Sequence, residues 1–174
     1  FNAWLIARGL QTLDCRMERH SANAMIIAEM LDRHPAVERT NYPFLDSAPA
    51  VELARRQMRS GGGMLSFELQ GGRDAALDVA SRVRLFVNAT SLGGVESLIE
   101  HRASIEGANS MSPDNLLRVS VGLEDPEDLL ADLDAAGSIE HLRRPGYRLH
   151  ALKGRLRGHY AIDVSANWRI VFRF

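Results

Sequence analysis

The segment Met64-Leu-Ser-Phe-Glu-Leu69 alternates apolar and polar side chains over its whole length. Because successive side chains of a β-strand point to opposite faces, this pattern predicts a strand with one buried face. Ser60-Gly-Gly-Gly63 precedes the strand and Gly71-Gly72 follows it, and such glycine clusters are typical of turns. Gly61-Gly-Gly63 leads into a strand rather than a helix, so we interpret it as a turn and not as a phosphate-binding loop.

Helices and further strands surround this strand on both sides. Apolar residues at helical spacing over residues 12–33 predict a long core-facing helix, which ends at His34-Pro35 because proline cannot continue a helix. The other elements predicted before residue 137 are helices at 2–9, 51–58, 74–83 and 126–136, strands at 37–42, 85–89 and 115–121, and an irregular stretch at 91–113. This order predicts an α+β fold in which helices pack on one face of a sheet.

The pattern changes after Gly137. A strand is predicted at 147–152, and two alternating segments, 159–164 and 168–174, flank Ser165-Ala-Asn167. Two alternating segments around a short polar turn predict a β-hairpin. We therefore predict two parts, residues 1–136 and residues 137–174.

The composition is that of a globular protein, with 45% hydrophobic and 25% charged residues. These values exclude a disordered or collagen-like chain, and no apolar run approaches the roughly 20 residues that a membrane-spanning helix needs. Cys15 is the only cysteine, which excludes an internal disulfide and a cysteine-rich zinc site and favours a reducing, cytoplasmic setting. The chain starts at Phe1 rather than at a methionine and ends within an alternating run, so we expect pieces of longer proteins.

The charge is divided unevenly between the two parts. Residues 1–137 carry 13 basic and 20 acidic side chains, a formal charge of −7, and residues 138–174 carry 8 basic and 2 acidic ones, a formal charge of +6. A cluster of basic residues has the charge that phosphate contact requires, although arginines on a solvated face would produce the same count. Nucleic-acid contact by residues 138–174 is therefore one of two open interpretations.

Arg118 stands in the middle of the apolar segment Leu116-Leu-Arg-Val-Ser-Val121. A charge inside an apolar strand is costly unless it is paired or belongs to a site, and the planar guanidinium matches a carboxylate. Two interpretations are open: an arginine paired within the sheet, or a clamp for the carboxylate of a ligand. The loop Ser91-Leu-Gly-Gly-Val-Glu-Ser97 is a second candidate, because functional groups concentrate in loops that strands hold, although its polar side chains would also cap local backbone.

The remaining polar residues indicate no further chemistry. Glu100, His101 and Glu106 lie close together in the sequence, but no second histidine stands at ligand spacing, so we expect no metal site. No catalytic triad is recognisable, and no catalytic residue is assigned.

Residues 1–136 resemble the C-terminal domain of the pyridoxal-phosphate-dependent enzymes of Cys/Met metabolism, the group of cystathionine γ-synthases, cystathionine β- and γ-lyases and methionine γ-lyases. The motifs that carry the resemblance occur in the family's order. They are Ala3-Trp-Leu, Arg8-Gly-Leu-Gln-Thr-Leu13, Arg16-Met-Glu-Arg-His20, Gly62-Gly-Met-Leu-Ser-Phe67, Ser91-Leu-Gly-Gly-Val-Glu-Ser-Leu98 and Leu117-Arg-Val-Ser-Val-Gly122 with Glu124-Asp125. The resemblance implies the small domain of a fold-type I enzyme, with an antiparallel-rich sheet and helices on one face.

The same resemblance implies roles for two residues. The family's arginine in this strand motif binds the α-carboxylate of the substrate, which falls on Arg118, and the serine of its glycine loop assists there, which falls on Ser91. The implied cofactor is pyridoxal phosphate, the implied substrate is a sulfur amino acid, and the implied assembly is a homo-oligomer. Lys153 is the only lysine and lies outside this segment, so the resemblance implies that the chain lacks the Schiff-base residue and does not run the reaction alone.

One segment departs from the family pattern. Many members carry His-Pro-Ala-Ser-Met-Thr-His where this chain has His101-Arg-Ala-Ser-Ile-Glu-Gly107. The departure leaves open whether the reaction takes place at Cβ or at Cγ.

Residues from about 129 to 174 resemble the HigB-like plasmid-maintenance killer toxins of the RelE ribonuclease superfamily. The matching stretches are Leu142-Arg-Arg-Pro-Gly-Tyr-Arg-Leu-His150, Leu152-Lys-Gly154, Gly158-His-Tyr-Ala-Ile162 and Asn167-Trp-Arg-Ile-Val-Phe172. The resemblance implies a truncated toxin segment in which Lys153, Arg157 and Arg169 touch RNA, unless Trp168 and Arg169 merely pack the hairpin. Three functions stay open: a substrate-binding enzyme domain, an RNA-binding toxin module, and an inactive fusion of two fragments that would self-associate.

Overall fold

The computed structural model describes residues 1–136, 150–151, 160–165 and 168–172. The chain divides into two compact units, Phe1–Leu133 and Asp134–Phe174. The domain boundary at residue 136 stays a prediction. The elements, numbered in chain order, are α1 Asn2–Leu10, α2 Leu13–Arg33, β1 Val37–Asn41, α3 Val51–Gln57, β2 Met64–Leu69, α4 Gly72–Arg82, β3 Val87–Asn88, β4 Leu98–His101, α5 Arg102–Glu106, a 3₁₀ turn Gly107–Asn109, β5 Leu116–Ser120, α6 Pro126–Ala135, β6 His150–Ala151, β7 Tyr160–Ser165 and β8 Trp168–Phe172.

The first unit is built on a five-stranded sheet with the order β1-β2-β5-β4-β3. All neighbouring pairs are antiparallel except β3 with β4. This arrangement confirms the prediction of an α+β, antiparallel-rich sheet. It also places β5, the strand that carries Arg118, at the centre of the sheet.

One face of this sheet is the apolar face. Leu65 stands opposite Val119 and Phe67 opposite Leu117, while Ile99 of β4 stands opposite Val119 from the other side. All of these side chains are buried, and Phe67 is only 1% exposed. The alternation predicted for β2 is confirmed, since its buried residues are Leu65, Phe67 and Leu69 and the intervening residues are partly exposed.

Helices α2 and α4 contribute small and branched apolar residues to the core. Ala24, Ile27, Ala28 and Leu31 of α2 are buried, at the spacing that places residues on one helical face. The helix ends before Pro35, as predicted, and the His34 N–H donates to the Leu31 carbonyl.

Helix α6 is held against the end of α4 by a buried carboxylate. Oδ2 of Asp132 accepts hydrogen bonds from the backbone N–H groups of Arg84 at 2.8 Å and Leu85 at 2.9 Å. Leu129, one turn earlier, is fully buried. These polar and apolar contacts together hold α6, the helix that follows β5, in its position.

The stretch 91–113 contains structure that the sequence analysis did not predict. It holds β4 and α5, and the strand predicted at 85–89 is reduced to two residues. All four residues of β4 are buried, so the strand lacks the polar–apolar alternation by which the other strands are recognised. Glu100 is buried in this strand beside Arg118, which lies 18 residues further along the chain.

The second unit contains a three-stranded sheet in the order β6-β7-β8. Both pairs are antiparallel, with His150 opposite Ala161 and Ile162 opposite Ile170. The pairing of β7 with β8 confirms the predicted hairpin. Its turn at residues 166–167 lies outside the described residues.

Helix α1 differs from the other long helices, because none of its residues is buried. Trp4, Ile6 and Leu10 are exposed along it, as is Phe1, which precedes it. Among the helices of the described residues, none combines the length and the apolar character that crossing a membrane requires.

Candidate functional site

The candidate site lies on the polar face of the five-stranded sheet, opposite the apolar face. Ser66 of β2 stands directly opposite Arg118 of β5, and Arg118 stands directly opposite Glu100 of β4. Side chains at paired positions of neighbouring strands project to the same face. Three adjacent strands therefore place a hydroxyl, a guanidinium and a carboxylate in one line.

Glu100 is the buried anion of this site, with a side chain that is 1% exposed. Its Oε1 accepts hydrogen bonds from Nη1 of Arg118 at 2.7 Å and from Nη1 of Arg102 at 2.9 Å. Its Oε2 accepts a hydrogen bond from the hydroxyl of Thr90. Three donors on one carboxylate supply the compensation that a buried charge needs.

These donors decide the charge state of Glu100. Burial by itself raises the pKa of the carboxyl, but the hydrogen bonds from Thr90, Arg118 and Arg102 outweigh it and hold the pKa below its ordinary value. Glu100 is therefore ionised at neutral pH. It is an acceptor and not a proton donor there.

Arg118 is partly exposed, and among the described residues its guanidinium makes one hydrogen bond. Its side chain is 23% exposed, and Nη1 is bonded to Glu100. Within the described residues, Nε and Nη2 make no hydrogen bond. Both interpretations of Arg118 therefore survive: it is paired within the sheet, and it keeps donors for a second anion.

Arg102 extends the network away from Arg118. Its Nη2 donates to Oε1 of Glu106 at 2.5 Å. Oε2 of Glu106 accepts hydrogen bonds from the hydroxyls of Ser110 at 2.7 Å and Ser112 at 2.8 Å. These hydrogen bonds, with that from Arg102, lower the pKa of Glu106 from 4.5 to about 2. The segment that departs from the family pattern thus forms a connected set of ion pairs.

Ser91 lies in the loop between β3 and β4 and is exposed. Its neighbour Thr90 donates to Glu100, the carboxylate that also binds Arg118. Arg118 thus contacts this carboxylate directly, whereas the Ser91 side chain makes no hydrogen bond to it among the described residues, and the role of Ser91 stays a prediction.

The middle of the loop is fixed through Gly93. The Gly93 carbonyl accepts a hydrogen bond from Nη1 of Arg16 at 2.9 Å, and its N–H donates to the hydroxyl of Ser120 at 3.4 Å. Gly93 has a φ of 75°, a region that favours glycine. Nη2 of Arg16 also donates to the Gly9 carbonyl at 2.9 Å, so this arginine ties the loop to the end of α1.

The end of the loop is fixed through Ser97, which is fully buried. Its N–H and its hydroxyl donate to the two carboxylate oxygens of Glu124 at 2.7 and 2.8 Å, and the hydroxyl accepts from the Gly122 N–H at 2.8 Å. A Cβ on Gly122 would stand 2.3 Å from Oε2 of Glu124 and 2.4 Å from the Val95 carbonyl oxygen, so only glycine fits. These contacts join the end of the loop motif to the end of the strand motif.

His101 has a structural position. Its Nε2 bonds to the Asp114 carbonyl at 2.7 Å and its Nδ1 to the Ser104 hydroxyl at 2.6 Å. A carbonyl only accepts, so Nε2 donates, and in the neutral ring Nδ1 then accepts from Ser104. Within the described residues, no group of three or more potential ligands is placed to hold a metal ion.

The predicted RNA-contacting residues fall largely beyond the description. Lys153 and Arg157 lie outside the described residues. Arg169 belongs to β8, where it stands opposite Asp163 of β7.

Three residues that support the site, Thr90, Arg16 and Glu124, are not predicted as such from the sequence. From the sequence, Glu100 is a candidate only for a metal site, which is not expected. Arg16 and Glu124 belong to the resemblance motifs, and this membership is the one signal in the sequence that points to them. Their contacts join positions 27 to 77 residues apart in the chain, which spacing alone does not reveal.

Solved relatives define the class of the first unit. The crystal structure of cystathionine gamma synthase from Xanthomonas oryzae pv. oryzae, in complex with aminoacrylate and cysteine, superposes with a TM-score of 0.74 at 46% identity, over 78% of this chain and 37% of that chain. The fold is thus that of the fold-type I pyridoxal-phosphate-dependent enzymes.

Within that class, the chain belongs to the Cys/Met metabolism PLP-dependent enzyme family, whose model matches residues 1–137. Over 141 residues it is 52% identical to cystathionine gamma-synthase from Mycobacterium tuberculosis, covering 78% of this chain and 36% of the relative. It is 46% identical over 144 residues to L-methionine gamma-lyase from Treponema denticola, with the same coverage. The chain therefore spans about a third of the length of these relatives.

A second family model, the RelE-like toxin of type II toxin-antitoxin system HigB, matches residues 123–174. The two matches overlap over residues 123–137. Both expected resemblances are confirmed.

Proposed function

We propose that residues 1–136 act as the C-terminal, substrate-carboxylate-binding domain of a pyridoxal-phosphate enzyme of sulfur amino acids, a C–S lyase or a γ-replacement enzyme. The observation that carries the proposal is Arg118. It lies on the polar face of the sheet, and Glu100 holds one edge of its guanidinium while the other nitrogens have no hydrogen bond among the described residues.

The chemistry of the site supports a carboxylate as the ligand. A guanidinium binds a carboxylate through two parallel, charge-assisted hydrogen bonds, which fix its orientation as well as its position. Ser91 is exposed and adds a hydroxyl donor from the adjoining loop. A substrate whose carboxylate is held in this way presents its amino group and side chain in a defined direction.

The described residues do not fit pyridoxal phosphate by themselves. Residues 1–136 contain no lysine, and the only lysine is Lys153. The cofactor stabilises carbanions as an electron sink when it is bound. In this proposal it is held by a second polypeptide region, equivalent to the remaining length of the relatives, and this chain binds and orients the substrate carboxylate.

Complementation tests the proposal. Residues 1–136 are joined to the cofactor-binding part of the Mycobacterium tuberculosis relative, and kcat/KM is measured for C–S cleavage and for γ-replacement. Arg118→Ala should lower kcat/KM by about a hundredfold, since two charge-assisted hydrogen bonds are lost. Arg55→Ala, which removes an exposed arginine paired with Asp46, is the matched control.

Two results of this assay are decisive. An Arg118→Ala enzyme with unchanged kcat/KM contradicts the carboxylate assignment. The ratio of the two activities decides between elimination and replacement.

Sedimentation of the same enzyme tests the proposed homo-oligomer, and fractionation of cells tests the proposed cytoplasmic location.

RNA binding by residues 138–174 is a second candidate function, favoured by the toxin-family match and the formal charge of +6. If Lys153, Arg157 and Arg169 each contact a phosphate, the logarithm of affinity for a single-stranded RNA should fall with the logarithm of salt with a slope of about −2. Replacing the three by alanine should abolish that slope, whereas replacing Arg55, Arg56 and Arg59 should not. Binding that ignores salt contradicts this candidate. A joined enzyme without activity, together with a 174-residue chain that does not bind RNA, supports the inactive fusion.

A further inference from the structure

Four side chains at the candidate site form a row of alternating charge. Arg118 contacts Glu100 at 2.7 Å, Glu100 contacts Arg102 at 2.9 Å, and Arg102 contacts Glu106 at 2.5 Å. The row, named here the charge row, therefore reads plus, minus, plus, minus. It ends on Arg118, at the polar face of the sheet.

The interior members of the charge row are each shared by two partners. Arg118 and Arg102 bind the same oxygen of Glu100 through one nitrogen each. Arg102 in turn divides its two terminal nitrogens between Glu100 and Glu106. The negative charge of Glu100 is thus shared between Arg118 and Arg102, and the Arg118 end of the row retains a positive potential.

This division matters because Glu100 and an incoming carboxylate compete for one cation. If Arg118 were the one cation beside Glu100, the Glu100 carboxylate would offset the charge of Arg118 and would repel the incoming carboxylate at short range. Arg102 offsets part of the negative charge of Glu100. An anion that binds Arg118 becomes the fifth charge of the row and continues its alternation of sign.

We infer that Arg102 is a positioning residue that, through Glu100, sets how strongly Arg118 binds the carboxylate of the substrate, and that Glu106 opposes it. This inference rests on the proposed function of Arg118. It assigns a role to two positions, Arg102 and Glu106, at which the chain departs from the pattern of many family members. The departure acts on the strength of carboxylate binding.

The inference predicts opposite effects for two neighbouring substitutions. Without the Arg102 cation, Glu100 pairs with Arg118 alone, so Arg102→Gln should weaken carboxylate binding by about fivefold. Without the Glu106 charge, Arg102 interacts more strongly with Glu100 and offsets more of its negative charge. Glu106→Gln should therefore tighten carboxylate binding by about twofold. A purely structural role of the ion pairs would weaken binding in both variants.

The experiment uses the 174-residue chain and two probes that differ only in the carboxylate, L-methionine and L-methioninol. Dissociation constants are measured by NMR titration for the wild type, Arg102→Gln, Arg102→Lys and Glu106→Gln, with Arg55→Gln as the control for loss of an arginine ion pair. The expected result is opposite shifts for L-methionine, recovery of most of the affinity in Arg102→Lys, and no shift for L-methioninol or in Arg55→Gln. Thermal unfolding of each variant verifies that it is folded.

The failures are separable. A wild type that does not distinguish L-methionine from L-methioninol overturns the carboxylate function of Arg118, and the inference with it. A wild type that does distinguish them, with variants that leave the affinity unchanged or shift it in the same direction, overturns the inference and leaves the proposed function standing.

Discussion

The apolar and polar faces of the five-stranded sheet are specified in different ways. On the apolar face, Leu65, Phe67, Leu117 and Val119 fill a core through residue type and period alone. On the polar face, the adjacent positions carry Ser66, Arg118 and Glu100, and their placement depends on individual partners. The comparison teaches that residue type and period organise the apolar face, whereas individual hydrogen bonds and ion pairs organise the polar face.

The largest expected effect breaks the apolar face. Phe67 is 1% exposed, and Phe67→Ala leaves a cavity between the sheet and its helices. The substitution should lower the free energy of unfolding by about 3–5 kcal/mol. Urea unfolding measures it, with Phe1→Ala as the control because Phe1 is 91% exposed. A loss as small as that of the control would show that this face is not the core.

A smaller effect is expected when the polar face is broken at its buried anion. Glu100→Gln leaves Arg118 and Arg102 without a common charged partner and should cost about 2–3 kcal/mol of unfolding free energy. Glu68 lies on the same polar face of the sheet, in β2, and Glu68→Gln should leave the free energy of unfolding nearly unchanged in the same urea measurement. Equal values for the two variants would mean that Glu100 does not organise the face.

The smallest effect is a change in the acid limb of the stability profile. The pKa of Glu106 is about 2 in the folded chain and 4.5 for a glutamate without these partners, as in the unfolded chain. Between pH 2 and pH 4.5 the unfolded chain therefore binds more protons than the folded chain. The free energy of unfolding should therefore fall as the pH drops from 4.5 toward 2, and Glu106→Gln should flatten that fall. Urea unfolding at several pH values measures it, with the exposed Glu18→Gln as the control. An unchanged acid limb would contradict the hydrogen bonds of Glu106.

The sequence predicts the apolar face better than the polar one. Strand β2 is predicted with its observed bounds because Leu65, Phe67 and Leu69 repeat with period two. Strand β4 was missed because all of its residues are buried and its Glu100 breaks the apolar run. A buried glutamate is recognisable only when its partners are known, and two of these, Thr90 and Arg118, are brought to Glu100 by the fold.

Prediction of the candidate site follows the same division. Arg118 was recognised because a charge in an apolar strand is unusual, yet whether it pairs within the sheet or binds a ligand stayed open. The structure gives Arg118 a partner and leaves two of its nitrogens without a hydrogen bond among the described residues. Arg16 and Glu124 act on the loop across 77 and 27 residues of chain, distances over which no local pattern operates.

The central claim is that the polar face binds a carboxylate at Arg118. The most direct measurement follows the ¹⁵N guanidinium signals of Arg118, assigned by their loss in Arg118→Lys, during a titration of the chain with L-methionine. The account predicts that the Nε and Nη2 signals of Arg118 shift with saturation, and that L-methioninol leaves them in place. Signals of Arg118 that do not respond to L-methionine, or that respond equally to both compounds, would contradict it.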